Sequence, residues 1–354
     1  MKQVHGGDIY RNEILYDFSV NTNPYGPPEG ILKAIQDSVV DISKYPDVFC
    51  EQLINKIAVK EGINSNQILC TNGAAEFFFA FCQALKPQKA LLQAPAFAEY
   101  ENALKTIDCK IEFYESKKNP GFQLQKDFIE KLQEDLDVVF LCTPNNPTGV
   151  CISDGLLEQI IKKCQEQKIY LVLDICFLDF VGLGEQEKWI NKMQKNPYLI
   201  LVKAFTKLYS IPGIRLGYGM SSNISLLEKI KSMLQPWNVS SLAQTAGIAA
   251  LKEEDYVTES LKKIKEQKDL LEVQLKNLGL EYFPTQTNYI LFKAPDDFYE
   301  NCLKYQLLIR DCSNYRGLEK GYYRIAVRKK EENEILISIF QKILKGDKTW
   351  QKQL

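Results

Sequence analysis

Lys207 is the residue around which the chemistry of this sequence gathers. It sits in the stretch LVKAFTKLYSIPGIRLGY, residues 201–218, where an apolar strand-like run from Leu199 to Val202 delivers it and Pro212-Gly213 turns the chain back toward Arg215. A lone lysine near a strand end is ordinarily a solvated charge. Here Phe205, Leu208, Tyr209, Ile211, Ile214 and Leu216 make the segment too apolar for a free surface loop. A partly buried lysine has a lowered pKa and offers a neutral amine. Such an amine is the nucleophile that condenses with a carbonyl to form a Schiff base. Arg215 adds a planar guanidinium suited to a phosphate dianion.

Other residues with chemical potential stand at the ends of apolar runs. Asp174 closes the run 169–174, and a carboxylate ending an apolar strand demands a buried partner. Thr143-Pro144-Asn145-Asn146-Pro147-Thr148-Gly149 follows the run 137–142 and reads, on its own, as a proline-asparagine turn. Thr71-Asn72-Gly73-Ala74-Ala75-Glu76 turns tightly into a helix whose free amides and dipole favour an anion. Phe97 follows the run 89–93; it can lie against a flat heterocycle or fill the core. Arg324 interrupts an alternating strand and reads as an outward-facing residue unless a site claims it. Arg310 has two readings, pairing with Asp311 or another surface acid, or facing the same pocket as Arg324. His5-Gly6-Gly7 reads alone as a frayed terminus.

The elements that must position these residues follow from periodicity. Strand-length apolar runs at 67–71, 89–93, 109–114, 137–142, 169–174 and 199–203 alternate with helical patterns near 74–86, 96–106, 125–135 and 153–167. Runs that are continuous rather than alternating are buried on both faces, so a largely parallel sheet between helices is expected. Ligands collect beyond the carboxyl ends of such strands. Tyr16 to Val20 alternates like a short strand and leads into the turn-rich Asn21 to Pro28, with a helix from about Glu29. Beyond residue 222 helices are expected at 226–233, 241–251, 256–278 and 335–344, with strands near 288–293 and 322–327. We read three parts: an N-terminal segment, 1–28, packing with the small domain; a large domain, 29–245; and a small α+β domain, 246–354.

Composition limits the alternatives. The 354 residues carry 44 basic against 45 acidic side chains, which gives no electrostatic reason to expect nucleic acid or an acidic membrane. Ten cysteines occur without a C-x-x-C pair and read as free thiols in a reducing cytoplasm. With one histidine, His5, neither a histidine-based zinc site nor a Ser-His-Asp triad is expected, and no metal is foreseen. There is no signal-peptide h-region and no apolar run long enough to span a bilayer.

Taken together, Gly73-Ala74-Ala75, Asn146, Asp174, Thr206-Lys207 and Gly213-Ile214-Arg215-Leu216-Gly217-Tyr218 resemble the fold-type I pyridoxal 5'-phosphate (PLP) enzymes, the class I and II aminotransferase family. The resemblance spans essentially the whole chain and implies an aspartate-aminotransferase-like α/β fold. It also implies roles: Lys207 carries the cofactor, Asp174 pairs with the pyridine nitrogen, Asn146 donates to the phenolic oxygen, and Gly73, Ala74, Ala75, Thr206 and Arg215 hold the phosphate. Phe97 and Phe177 would contact the ring. Tyr45 would reach the cofactor phosphate of the other subunit in a homodimer. Two positions depart from the usual pattern: Ala204 stands where a serine or threonine is common, and Phe177 where a tyrosine is common. His5-Gly6-Gly7, Asp17 to Pro24, Phe177 and Arg310 to Ser313 resemble most the threonine-phosphate decarboxylases of cobalamin biosynthesis, with histidinol-phosphate aminotransferases as near relatives. That resemblance implies a small phosphorylated amino-acid substrate bound by His5, Asn23, Asn146, Arg310 and Arg324. A PLP-binding regulatory module is the non-enzyme alternative, and the chain has no recognisable DNA-binding segment for it.

Overall fold

The computed structural model describes residues 5–346. A short strand, β1 (Tyr16–Asp17), precedes α1 (Glu29–Ser38) and α2 (Glu51–Glu61). Then come β2 (Ile68–Thr71), α3 (Ala74–Leu85), β3 (Lys89–Ala94), α4 (Ala98–Lys105), β4 (Lys110–Glu115), β5 (Val138–Cys142), α5 (Asp154–Glu166), β6 (Tyr170–Asp174), α6 (Glu187–Met193), β7 (Leu199–Ala204), α7 (Phe205–Leu208) and β8 (Gly217–Ser221). Among the described residues these strands form one seven-stranded sheet of order β2-β8-β7-β6-β5-β3-β4.

Successive residues of its strands enter different cores. Val138 and Phe140 pack on one face and Val139 and Leu141 on the other; Ile200 and Val202 separate from Leu199 and Leu201 in the same way. That two-sided burial is why the strands read as unbroken apolar runs. All neighbours pair in parallel except β8, which is antiparallel to both β2 and β7. β8 was not foreseen, because its glycines carry little strand signal. Those glycines admit α3: a Cβ on Gly217 would lie 2.5 Å from the Ala74 amide nitrogen, and one on Gly219 2.0 Å from the Phe77 ring.

The helix expected at 125–135 is only a short 3-10 turn, Lys126–Lys131. Phe128 and Leu132 anchor it in the core, too narrow an apolar face to drive a longer helix. The strand expected over 16–20 is reduced to β1, after which Asp17 Oδ1 accepts from the Ser19 amide and folds the chain into a turn.

The C-terminal part contains α8 (Ile224–Lys231), α9 (Ser241–Ala250), α10 (Glu254–Asn277), β9 (Glu281–Phe283), β10 (Tyr289–Lys293), α11 (Phe298–Leu303), β11 (Leu307–Leu308), β12 (Arg310–Asp311), β13 (Tyr322–Ala326) and α12 (Lys330–Leu344). β12-β13-β10-β9 is a second, antiparallel sheet. Its core gathers Ile264, Leu271, Ile290, Phe292, Phe298 and Phe340, and Phe18 from the N-terminal segment is buried there too. β1 pairs in parallel with β11. The boundary drawn at 245/246 falls inside α9, whose buried Ala243, Ala246 and Ala250 all lie in the large core. Along α10, Val257 still belongs to that core while Ile264 and Leu271 belong to the second. The ten cysteines are unpaired, and no helix among the described residues is long and apolar enough to cross a membrane.

Candidate active site

The carboxyl ends of β2, β3, β5, β6 and β7 lie along one edge of the large sheet and deliver Ala74, Phe97, Asn146, Asp174 and Lys207 to one cavity of about 390 Å³. Ala75, Phe177, Thr206 and Arg215 line it from the same domain, and His5, Arg310 and Arg324 close it from the other side.

Lys207 is half-buried at the end of α7. Its pKa is lowered to about 8, first by burial and then by the nearby Arg324 and Arg215 charges. Its ammonium nitrogen lies 5.9 Å from the centre of the Phe177 ring. Asp174 is buried at the end of β6, and burial raises its pKa. It accepts from the Tyr100 hydroxyl at 2.6 Å and from the Cys176 amide at 2.9 Å. Among the described residues no lysine or arginine lies within ion-pair distance of it, so the carboxylate is solvated by two donors and lacks a counter-charge.

The anion cradle is built at the start of α3. Gly73 has φ +78, and a Cβ there would lie 2.5 Å from Arg215 Nη2, so only glycine lets the guanidinium sit over the helix start. No side chain caps the first amides of α3. Glu76, which could compete for them, is turned away to the Asn72 amide and the Asn238 side chain, each at 2.6 Å. Thr206 is buried beside the cradle, and Ala204 adds no hydroxyl to it.

Asn146 Oδ1 accepts from Arg324 Nη1 and, at 3.4 Å, from the Tyr315 hydroxyl. Arg324 Nη2 donates to the Ser19 carbonyl at 2.9 Å, while its Nε is buried without a partner. Arg310 is buried on β12. It reaches the Asp311 carbonyl, not the carboxylate, and donates to Asn314 Oδ1 at 2.8 Å. The Asp311 carboxylate is taken by the Ser313 amide and hydroxyl. His5 Nε2 contacts Glu99 Oε1 at 2.8 Å at the rim, and that bond holds the Glu99 carboxyl below its ordinary range against the effect of burial.

Two expected site residues lie elsewhere. Asn23 does not line the cavity: its Nδ2 donates to the Leu208 carbonyl at 3.0 Å and to Ser260 Oγ at 2.8 Å, and its amide donates to the Lys207 carbonyl. Its donors are spent on fixing the chain around Lys207, so it is placed to position the lysine rather than to touch a ligand. Tyr45 is 79% exposed and stacks on Trp237 with ring centres 4.5 Å apart, outside this cavity. Tyr100, Tyr315 and Cys176 were missed. Tyr100 was legible, since it follows Phe97 by one helical turn and shares its face; Tyr315 comes from a loop with no such signal.

The residues fit PLP. A buried carboxylate lacking a counter-charge suits a protonated ring nitrogen, an uncapped helix start under an arginine suits a phosphate, and an amine of lowered pKa suits an aldehyde.

The profile of the Aminotransferase class I and II family matches residues 13–340, and the chain belongs to that family. Its fold is the aspartate-aminotransferase-like one. It is 34% identical to the threonine-phosphate decarboxylase of Salmonella typhimurium, over 97% of each chain. Among solved structures, a histidinol-phosphate aminotransferase from Clostridium acetobutylicum superposes with a TM-score of 0.88 at 28% identity, covering 94% of this chain and 100% of that one. The L-threonine-O-3-phosphate decarboxylase of Porphyromonas gingivalis superposes at 0.82 with 25% identity and the same coverage.

Proposed function

We propose that the protein is a PLP-dependent decarboxylase that converts O-phospho-L-threonine or O-phospho-L-serine to an amino-alcohol phosphate for cobalamin biosynthesis. The observation that carries this reading is the pair of buried arginines, Arg310 and Arg324, on the cavity wall. An amino acid needs one guanidinium for its carboxylate; a second calls for a second anion.

When bound, PLP withdraws electrons from the substrate Cα so that a bond there can break. Asp174 would hold the ring nitrogen, Asn146 the phenolic oxygen, Phe97 and Phe177 the ring, and the start of α3 with Thr206 and Arg215 the phosphate. Arg324 takes the α-carboxylate as a charge-assisted pair from its place on the cavity wall. Arg310 and His5 take the substrate phosphate, His5 leaving Glu99 to do so. The carboxylate departs as carbon dioxide, its bonding pair stays at Cα, and Lys207 Nζ delivers a proton to that carbon.

The chain acts as a homodimer in this reading. Val40, Ile42, Tyr45, Phe49 and Trp237 are exposed apolar side chains, and Tyr45 with Trp237 forms one stacked pair among them. Covering such a surface is the ordinary role of a subunit contact. The ten unpaired cysteines accord with a cytoplasmic location.

The likeness to the Clostridium acetobutylicum structure keeps a histidinol-phosphate aminotransferase as the competing reading. Incubation with O-phospho-L-threonine and PLP, without any 2-oxo acid, separates them. Steady release of carbon dioxide supports the decarboxylase; no release, with glutamate formed from 2-oxoglutarate and histidinol phosphate, supports the aminotransferase.

A further inference from the structure

Tyr315 touches both halves of the active cavity, although no step of the reaction calls on it. The guanidinium of Arg310 lies over its ring, 5.1 Å from the ring centre. Its hydroxyl donates to Asn146 Oδ1 at 3.4 Å, the oxygen that also accepts from Arg324. The side chain lines the cavity beside Arg310 and Asn146.

The ring is set in place by its own loop. The Tyr315 amide donates to the Cys312 carbonyl at 3.0 Å and the Leu318 amide to the Tyr315 carbonyl at 3.1 Å, so residues 312–318 form two consecutive turns. The side chain packs against the buried group Phe122, Phe283, Leu291, Cys312 and Tyr322. The next residue ties the loop to the large domain: Arg316 Nη2 lies 3.1 Å from Glu101 Oε1, and its guanidinium 3.8 Å from the centre of the Phe113 ring. A ring held from three sides is a fixed floor for a cation.

Arg310 needs such a floor. A long flexible side chain loses much rotamer freedom when it is held in one place, and the cross-strand neighbour of Arg310 is Arg324, a like charge. Asn314 Oδ1 and the Asp311 carbonyl accept from its edge. Contact through an aromatic face uses none of the guanidinium N–H donors, so it fixes the group without spending what an anion would bind.

We propose that Tyr315 is the positioning residue that sets the preference for phosphorylated over unphosphorylated substrates, acting through Arg310. The inference rests on the reading of Arg310 as the group that takes the substrate phosphate. An arginine left to swing meets the phosphate at an entropic cost, which an unphosphorylated amino acid held by Arg324 does not incur.

Dissociation constants for O-phospho-L-threonine and L-threonine, read on the PLP-loaded protein through the cofactor absorbance, test it. Tyr315→Leu should weaken O-phospho-L-threonine roughly five- to thirtyfold, the scale of a desolvated cation–π contact, and leave L-threonine within about twofold. Tyr315→Phe keeps the ring and should restore most of the preference. Tyr315→Met, also ringless, carries the test if Tyr315→Leu does not fold. Added to Arg310→Gln, the leucine substitution should cause no further loss, since the ring then has no guanidinium to place. Equal weakening of both ligands, weakening of neither, no restoration by phenylalanine, or full additivity with Arg310→Gln overturns the inference while the effect of Arg310→Gln alone still supports the phosphate reading. An Arg310→Gln protein that discriminates like the wild type removes that reading, and the inference with it.

Discussion

Arg310 and Arg324 stand directly opposite one another on the antiparallel strands β12 and β13, as cross-strand partners that line the same cavity. Like charges in that position repel unless anions separate them. Asn146 and the Ser19 carbonyl hold Arg324, while Asn314 and the Tyr315 ring hold Arg310. Each guanidinium is thus oriented separately, and in the proposed reading the two anionic groups of the substrate complete the arrangement.

The first prediction concerns pH. The Lys207 pKa is lowered from 10.5 to about 8, so the amine is half unprotonated near pH 8. Capture of PLP by the cofactor-free protein, followed by absorbance, should accelerate with pH up to about 8 and then level off. Acceleration continuing toward 10.5 would show a solvated lysine. Linkage gives a companion sign: between about 8 and 10.5 the unfolded chain binds more protons at this residue than the folded one, so this group makes stability rise with pH across that window.

Tyr100→Phe removes one of the two donors to the buried Asp174 carboxylate. A hydrogen bond to a charged group contributes about 1.5–3 kcal/mol. The expected result is a kcat roughly ten- to a hundredfold lower with little change in KM, by the factor of ten per 1.4 kcal/mol. A proportional rise in KM alone would place Tyr100 in substrate binding instead.

Two glycines should fail differently. Gly73→Ala pushes against Arg215 and requires φ +78 of a residue with a Cβ, so PLP retention should fall while the fold survives. Gly219→Ala drives into the buried Phe77 ring and should lower stability by about 1–3 kcal/mol, the usual range for overpacking. Thermal melts of the cofactor-free variants, beside PLP titrations, distinguish the two.

The parallel sheet was legible because two-sided burial leaves unbroken apolar runs, and the residues after each run were then placed at one edge by topology. β8 was not, since Gly217 and Gly219 are chosen for the approach of α3 rather than for strand propensity. The place of Asn23 was not legible either: the resemblance set it beside the substrate, whereas its side chain donates to Leu208 and Ser260, both distant in sequence.

Replacing Val40 and Phe49 with aspartate should split the proposed homodimer, as both are exposed apolar side chains close to Tyr45 in sequence. Light scattering should fall from twice the chain mass to the chain mass. A wild-type protein that is already monomeric and fully active would remove the subunit contact from the account.

The division of labour between the two arginines is tested most directly by Arg310→Gln. Dissociation constants for O-phospho-L-threonine and for L-threonine would be measured on the PLP-loaded protein through the cofactor absorbance. Loss of a charge-assisted contact to phosphate should weaken O-phospho-L-threonine by roughly ten- to a hundredfold, from about 1.5–3 kcal/mol, and leave L-threonine nearly unchanged. Equal weakening of both ligands, or of neither, would contradict the assignment of Arg310 to the phosphate.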